Sequence, residues 1–132
     1  MIDISNEVFS AVANEVKAKH ADTTVMGENV SQPASFPCVA MDETLNIPAE
    51  LDFGGSEKYS AITYRVQVFS NSEAGKRATA REIFKTVCGV MARLGLVRKT
   101  YTPTPDVYNA DIYQITGTFE GVVRQDGMIF KR

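Results

Sequence analysis

The side chains able to do chemistry are few and scattered. His20 is the one histidine of the chain, and Cys38 and Cys88 are its two cysteines. A nucleophilic triad needs a histidine beside its nucleophile. A structural metal needs several His or Cys ligands at short spacing. These three residues, far apart in sequence, suit neither. Asp42-Glu43 is a pair of carboxylates, but neighbours in a strand point to opposite faces, which makes a poor acid/base couple. Phe53-Gly54-Gly55-Ser56 reads as a turn, because a nucleophile elbow needs Gly-x-Ser-x-Gly at a strand–helix junction. No glycine-rich phosphate loop is present. The expectation is no catalytic residue, no metal ligand, no cofactor and no enzyme activity. His20 falls at the end of a helical stretch, where an imidazolium suits the helix dipole. Both cysteines lie among apolar neighbours and read as packed thiols.

What remains is surface. Arg77, Arg81 and Lys85 stand at i, i+4 and i+8, which draws one basic stripe along a helix. It reads as a solvated face or as a contact to an acidic partner, a neighbouring subunit or phosphate. No aromatic residues are interleaved with it, as a single-strand stacking platform would require. Tyr101 and Tyr108 flank Pro103 and Pro105, and tyrosine is a common interface anchor.

The chain has 132 residues, 44% hydrophobic and 23% charged. That fits one globular domain, residues 1–132, able to bury a core without disulfides. No run approaches the ~18 apolar residues of a membrane span, and no secretory leader is expected. The net charge is −2, so DNA coating is not the expected task. The average hides a split. Residues 1–66 sum to −6 and residues 67–132 to +4. Such a chain has a basis for head-to-tail self-association, unless the fold mixes the two halves.

Periodicity gives the elements. Ile4, Val8, Ala11, Val12 and Val16 predict a helix over 5–19, capped by Asp3 or Ser5. A short extended piece is placed at Thr24–Met26 and a strand over 37–42, followed by a long polar connection from Asn46 to Glu57. Ile62, Tyr64, Val66 and Val68 alternate through a long strand over 58–70. Ser70-Asn71-Ser72-Glu73 has capping-box spacing. It opens a helix whose stripe is Ala80, Ile83, Phe84, Val87, Met91 and Leu94, stopped by Gly95. Gly89 inside that helix hints at close packing. Strands are expected over 96–101 and 111–125, with Asp126-Gly127 as a type I′ hairpin turn. The expected fold is α+β: one antiparallel or mixed sheet of four to five strands, both helices on one face, order α-β-β-α-β-β, with a long projecting β-hairpin. The other face is left for water or a partner.

Several of these segments together resemble a known family. They are Pro37-Cys38-Val39, then Tyr64-Arg65-Val66-Gln67-Val68-Phe69-Ser70, then a helix opening Ser72-Glu73-Ala74-Gly75 and closing Met91-Ala92-Arg93-Leu94-Gly95-Leu96, then a β-rich end. Over roughly residues 1–125 this resembles the tail terminator (tail completion) proteins of long-tailed bacteriophages. The resemblance implies a structural protein of the virion tail neck, assembled in the host cytoplasm. Such a protein forms a homo-hexameric ring on the head-proximal end of the tail tube, stops its polymerisation and offers a surface for head–tail joining. Its partners would be other copies, the tail tube protein and the head connector or stopper protein. Genomic DNA would pass through the lumen without sequence-specific binding, and no membrane is involved. By position, Leu51, Asp52, Phe53, Glu57 and Tyr59 correspond to a projecting hairpin that reaches a neighbour or the tube. Arg77, Arg81 and Lys85 correspond to an outer or inter-subunit wall. Two readings stand beside this one: a head-closure or neck adaptor of the same virion region, and a small nucleic-acid-binding α/β module using the basic stripe. A third, a pocket-bearing enzyme or ligand-binding domain, finds no convergent polar groups in the sequence.

Overall fold

The computed structural model describes residues 1–27, 37–51, 57–71, 76–105, 112–124 and 126–129. Its elements are α1 (Ser5–Lys19), β1 (Thr24–Met26), β2 (Cys38–Leu51), β3 (Glu57–Asn71), α2 (Lys76–Leu94), β4 (Val97–Pro105) and β5 (Ile112–Arg124). The five strands form one mixed sheet in the order β1-β2-β3-β5-β4. β1 pairs with β2 in parallel, and every other pairing is antiparallel.

Both helices cover the same face. Val8, Val12 and Val16 of α1 and Ala80, Ile83, Phe84, Val87 and Met91 of α2 join one core with Val39, Met41, Ile62, Tyr64, Val66, Val68, Ile115, Phe119 and Val123 of the sheet. The strand residues in that list alternate, as a pleated sheet with one face against helices requires. α1 lies against α2 and touches β1, while α2 touches β3, β5 and β4. Among the described residues no helix is long and apolar enough to cross a membrane.

The ends of the elements follow local chemistry. Asp3 Oδ1 accepts the Ser5 backbone N–H at 2.9 Å, so the Asp3 carboxylate serves the helix start although Ile4 occupies the N-cap. His20 closes α1 as its C-cap, and its Nε2 lies 3.0 Å from Thr86 Oγ1 of α2. Gly95 ends α2 at φ 100°, with its N–H and that of Leu96 both donating to the Met91 carbonyl.

Four expectations need correcting. First, the helix-free face is not wholly open. Cys38, Ala40, Phe69 and Ile112 form a small buried cluster there, with Met26 packed on it. The strands are apolar on both sides at that end, so burial there is the stable outcome. Second, Gly127 sits at φ 87° while Asp126 does not share a positive φ, so the turn after β5 is not type I′. Gly127 N–H donates to the Arg124 carbonyl and Arg124 N–H to the Met128 carbonyl, as in a three-residue hairpin loop. Third, the polar connection is shorter than expected, because β2 continues to Leu51. Fourth, Gly89 marks no close approach: it is exposed, and a Cβ there meets nothing within 4 Å. Gly89→Ala is therefore expected to stabilise the protein by about 0.5–1 kcal/mol, through helix propensity alone. A urea midpoint that falls in this variant contradicts that placement. The capping-box residues Ser72 and Glu73 lie outside the described residues.

Candidate assembly surfaces

The pairing of β2 with β3 shifts register three times in its outer half, and the first shift decides what the surface looks like. Val39 and Met41 point to the helices. Glu43 pairs with Tyr64, but Leu45 pairs with Thr63 and Ile47 with Ala61. The extra residue at Thr44 is a β-bulge, and it turns the following side chains over. Without it, Leu45 and Ile47 would continue the phase of Val39 and Met41 towards the helices. With it, they stand on the helix-free face, 46% and 49% exposed. Val122 of β5, which pairs with Ala61, joins them at 36% exposed. Asn46 takes the inward position instead. Its Nδ2 donates to the Ile2 carbonyl at 2.8 Å, and its Oδ1 accepts from Ser60 Oγ.

Around this apolar patch lies a shallow depression of about 240 Å³, lined by Leu45, Thr63, Val97 and Val122, with Lys99 and Glu120 as its charged members. Further along the same face, Arg65 grips Asp42 in a two-point pair, Nη2–Oδ2 at 2.9 Å and Nε–Oδ1 at 3.3 Å. The pair ties β3 to β2 across the sheet. The β2–β3 hairpin runs past the start of β4, which pairs only as far as Glu120 opposite Thr63, and closes at Leu51↔Glu57 with β5 beside it to Tyr59. The patch therefore sits on the extended end of the sheet.

The two flanks of the molecule differ in charge. On one flank, Asp3 and Glu7 of the α1 start and Glu43 of β2 gather about the Tyr64 hydroxyl. Burial, then the nearby Glu43, push the Tyr64 phenol well above its usual range. That hydroxyl is buried without a hydrogen bond of ordinary geometry. Burial also raises the Glu43 carboxyl above its ordinary 4.5, the Asp3 charge adds to this, and the Asn46 amide opposes it. The folded state thus holds the Glu43 proton more tightly than the unfolded chain. This group favours folding below its raised pKa, and that contribution is lost as pH climbs from the ordinary value through the folded one. Glu43→Gln is expected to be more stable than wild type near pH 7 and to lose that advantage near pH 4. Unfolding curves whose difference does not move with pH contradict this.

On the other flank, Arg77 lies 5.7 Å from the Tyr113 ring centre and Arg98 5.9 Å from that of Tyr101. Tyr101 packs edge-on against Phe84, ring centres 5.3 Å apart. Arg81 is exposed on α2, one turn from both Arg77, which lies over Tyr113 of β5, and Phe84, which meets Tyr101 of β4. Lys85 is one turn on and pairs with Glu82 at 3.4 Å. Burial raises both thiols, with Arg98 opposing it at Cys88, and neither cysteine is bonded to the other. Among the described residues no three His, Cys, Asp or Glu side chains gather as a metal site.

Of the residues singled out in the sequence, the structure brings Arg77, Arg81, Lys85 and Tyr101 to one flank. Leu51 and Glu57 pair at the hairpin end, and Tyr59 lies half-buried beside them, paired with Arg124. Asp52, Phe53 and Tyr108 lie outside the described residues. Sequence reasoning missed Leu45, Ile47 and Val122. Their alternation was the available signal, and the bulge at Thr44 disguised it.

No family model and no curated protein matches the chain. Among solved structures, the chain is similar to the gp17 protein of bacteriophage SPP1, at 14% identity and a TM-score of 0.41, over 87% of this chain and 88% of that one. At that identity and TM-score the likeness identifies neither a family nor a role.

Proposed function

We propose that this chain is a non-enzymatic structural protein of a phage virion. Copies of it form a ring on the head-proximal end of the tail tube, end tube polymerisation and present the surface on which the head is joined. The observation that carries this reading is the exposed cluster Leu45, Ile47 and Val122 on the extended end of the helix-free sheet face. A bulge that turns two large aliphatic side chains out of the core is a costly arrangement for an isolated monomer and a useful one for a docking surface. Besides the surface that meets the head, a terminator needs a contact to the tube and one to its own copies. The apolar patch supplies the first and the charged flanks the second. The partners in this reading are other copies in a hexamer, the tail tube protein and the head connector or stopper. DNA crosses the lumen without base-specific contact, and the site of action is the neck of the virion.

The nucleic-acid reading has less support from the geometry. Arg77 is engaged over Tyr113 and Lys85 by Glu82, so the basic row is not a free track for phosphates. The test is tube assembly in vitro. Tail tube subunits polymerised with this protein present are expected to stop at capped ends, visible as rings at one end in electron micrographs. Tubes that lengthen as though it were absent contradict the proposal.

A further inference from the structure

The two charged flanks sit at opposite edges of one sheet. β2 and the start of α1 belong to the β1 side, and β4 and α2 close the other. The acidic flank presents Asp3 and Glu7, both exposed, with half-buried Glu43 behind them. None of the three has a basic partner among the described ion pairs. The Tyr64 hydroxyl, on a side chain 1% exposed, is directed at this group without completing a hydrogen bond of ordinary geometry. The basic flank presents Arg81 and Arg98, both exposed and likewise without a carboxylate partner among the described residues. Arg93 and Glu15 join the two halves of the sequence at 3.7 Å, but among the described residues these unpaired carboxylates and guanidiniums stand at opposite edges.

We infer that the α2–β4 flank of one copy docks on the α1–β2 flank of the next, Arg81 and Arg98 facing Asp3, Glu7 and Glu43. This deepens the assembly reading above and rests on it in one respect, that copies of the chain meet. The contact is heterologous. A two-fold axis would set acid against acid and base against base, which repels, whereas a head-to-tail step satisfies both flanks and repeats. Pro103 and Pro105 withdraw backbone donors from β4, so side chains rather than an added strand ladder carry the contact. An arriving guanidinium supplies the counter-charge that the acidic group lacks among the described residues.

The experiment is a charge exchange followed by sedimentation velocity. Wild type is expected to self-associate at low ionic strength and to dissociate as salt rises. Asp3→Lys with Glu7→Lys makes both flanks basic, and Arg81→Glu with Arg98→Glu makes both acidic. Each variant alone is expected to associate roughly tenfold or more weakly than wild type. Their equimolar mixture is expected to regain association, because every contact then joins unlike signs. Asp3 also holds the Ser5 N–H, so Glu7→Lys alone is the second variant. It breaks no described hydrogen bond and is expected to weaken association in the same direction. Wild type that stays monomeric at low salt, a variant that associates as wild type does, or a mixture no better than its parts overturns the pairing. A mixture that associates but leaves tube growth unchecked supports the pairing and contradicts the terminator role, so the two failures are distinct.

Discussion

Replacing Phe84 with alanine is expected to destabilise the fold by about 3–5 kcal/mol, measured by urea unfolding. Small domains are stable by roughly 5–15 kcal/mol, so this variant loses a large part of its margin. Phe84 is 2% exposed and joins three elements. Its ring meets Tyr101 of β4 at 5.3 Å and Phe119 of β5 at 6.0 Å, centre to centre. It also lies directly over Gly117, where an added Cβ would come within 2.7 Å of Phe84 Cε2. A glycine in the middle of a strand is a local weakness, and here it makes the space that the ring fills. Removing the ring therefore leaves a void beneath α2 that the backbone of β5 cannot close. A loss under 1 kcal/mol shows that the helix collapses onto the sheet, and that Phe84 does not fix the α2–β4 flank.

The second large effect separates docking from folding. Leu45→Asp with Ile47→Asp is expected to change unfolding free energy by no more than about 1 kcal/mol, because both side chains are already half in water. The same pair of charges placed in an apolar docking surface is expected to weaken tube capping by more than tenfold. Self-association through the charged flanks is expected to persist in this variant. If capping is unchanged, the patch is not the tube contact. If the variant unfolds, the bulge at Thr44 does not hold these side chains out of the core.

The sequence and the structure agree where a single stripe decides the outcome. Val8, Val12 and Val16 bury one face of α1, and the helix has the bounds read from that spacing. Ile62, Tyr64, Val66 and Val68 place β3 with its inward face correct. Gly95 closes α2 because a positive φ was needed there. Agreement fails where the physics is not periodic. A bulge adds one residue and reverses the phase, so the expected strand stops at Asp42, Leu45 is left outside it and Ile47 falls in the expected polar connection. Gly89 looks the same in sequence whether it faces a neighbour or solvent, and only the packing tells them apart. The burial of Cys38, Ala40 and Phe69 on the second face depends on which elements meet there, information that no local window holds. The basic stripe was legible as a stripe. That the helix carrying it packs towards β5 and β4, away from the acidic flank on β2, depends on how α2 meets the sheet.

The most direct test of the assembly role is electron microscopy of phage tails made with this one chain removed. Tubes of uncontrolled length that are not joined to heads are expected, with length control and joining restored by adding back the wild-type protein. Tails of normal length already joined to heads, formed in its absence, would contradict that role.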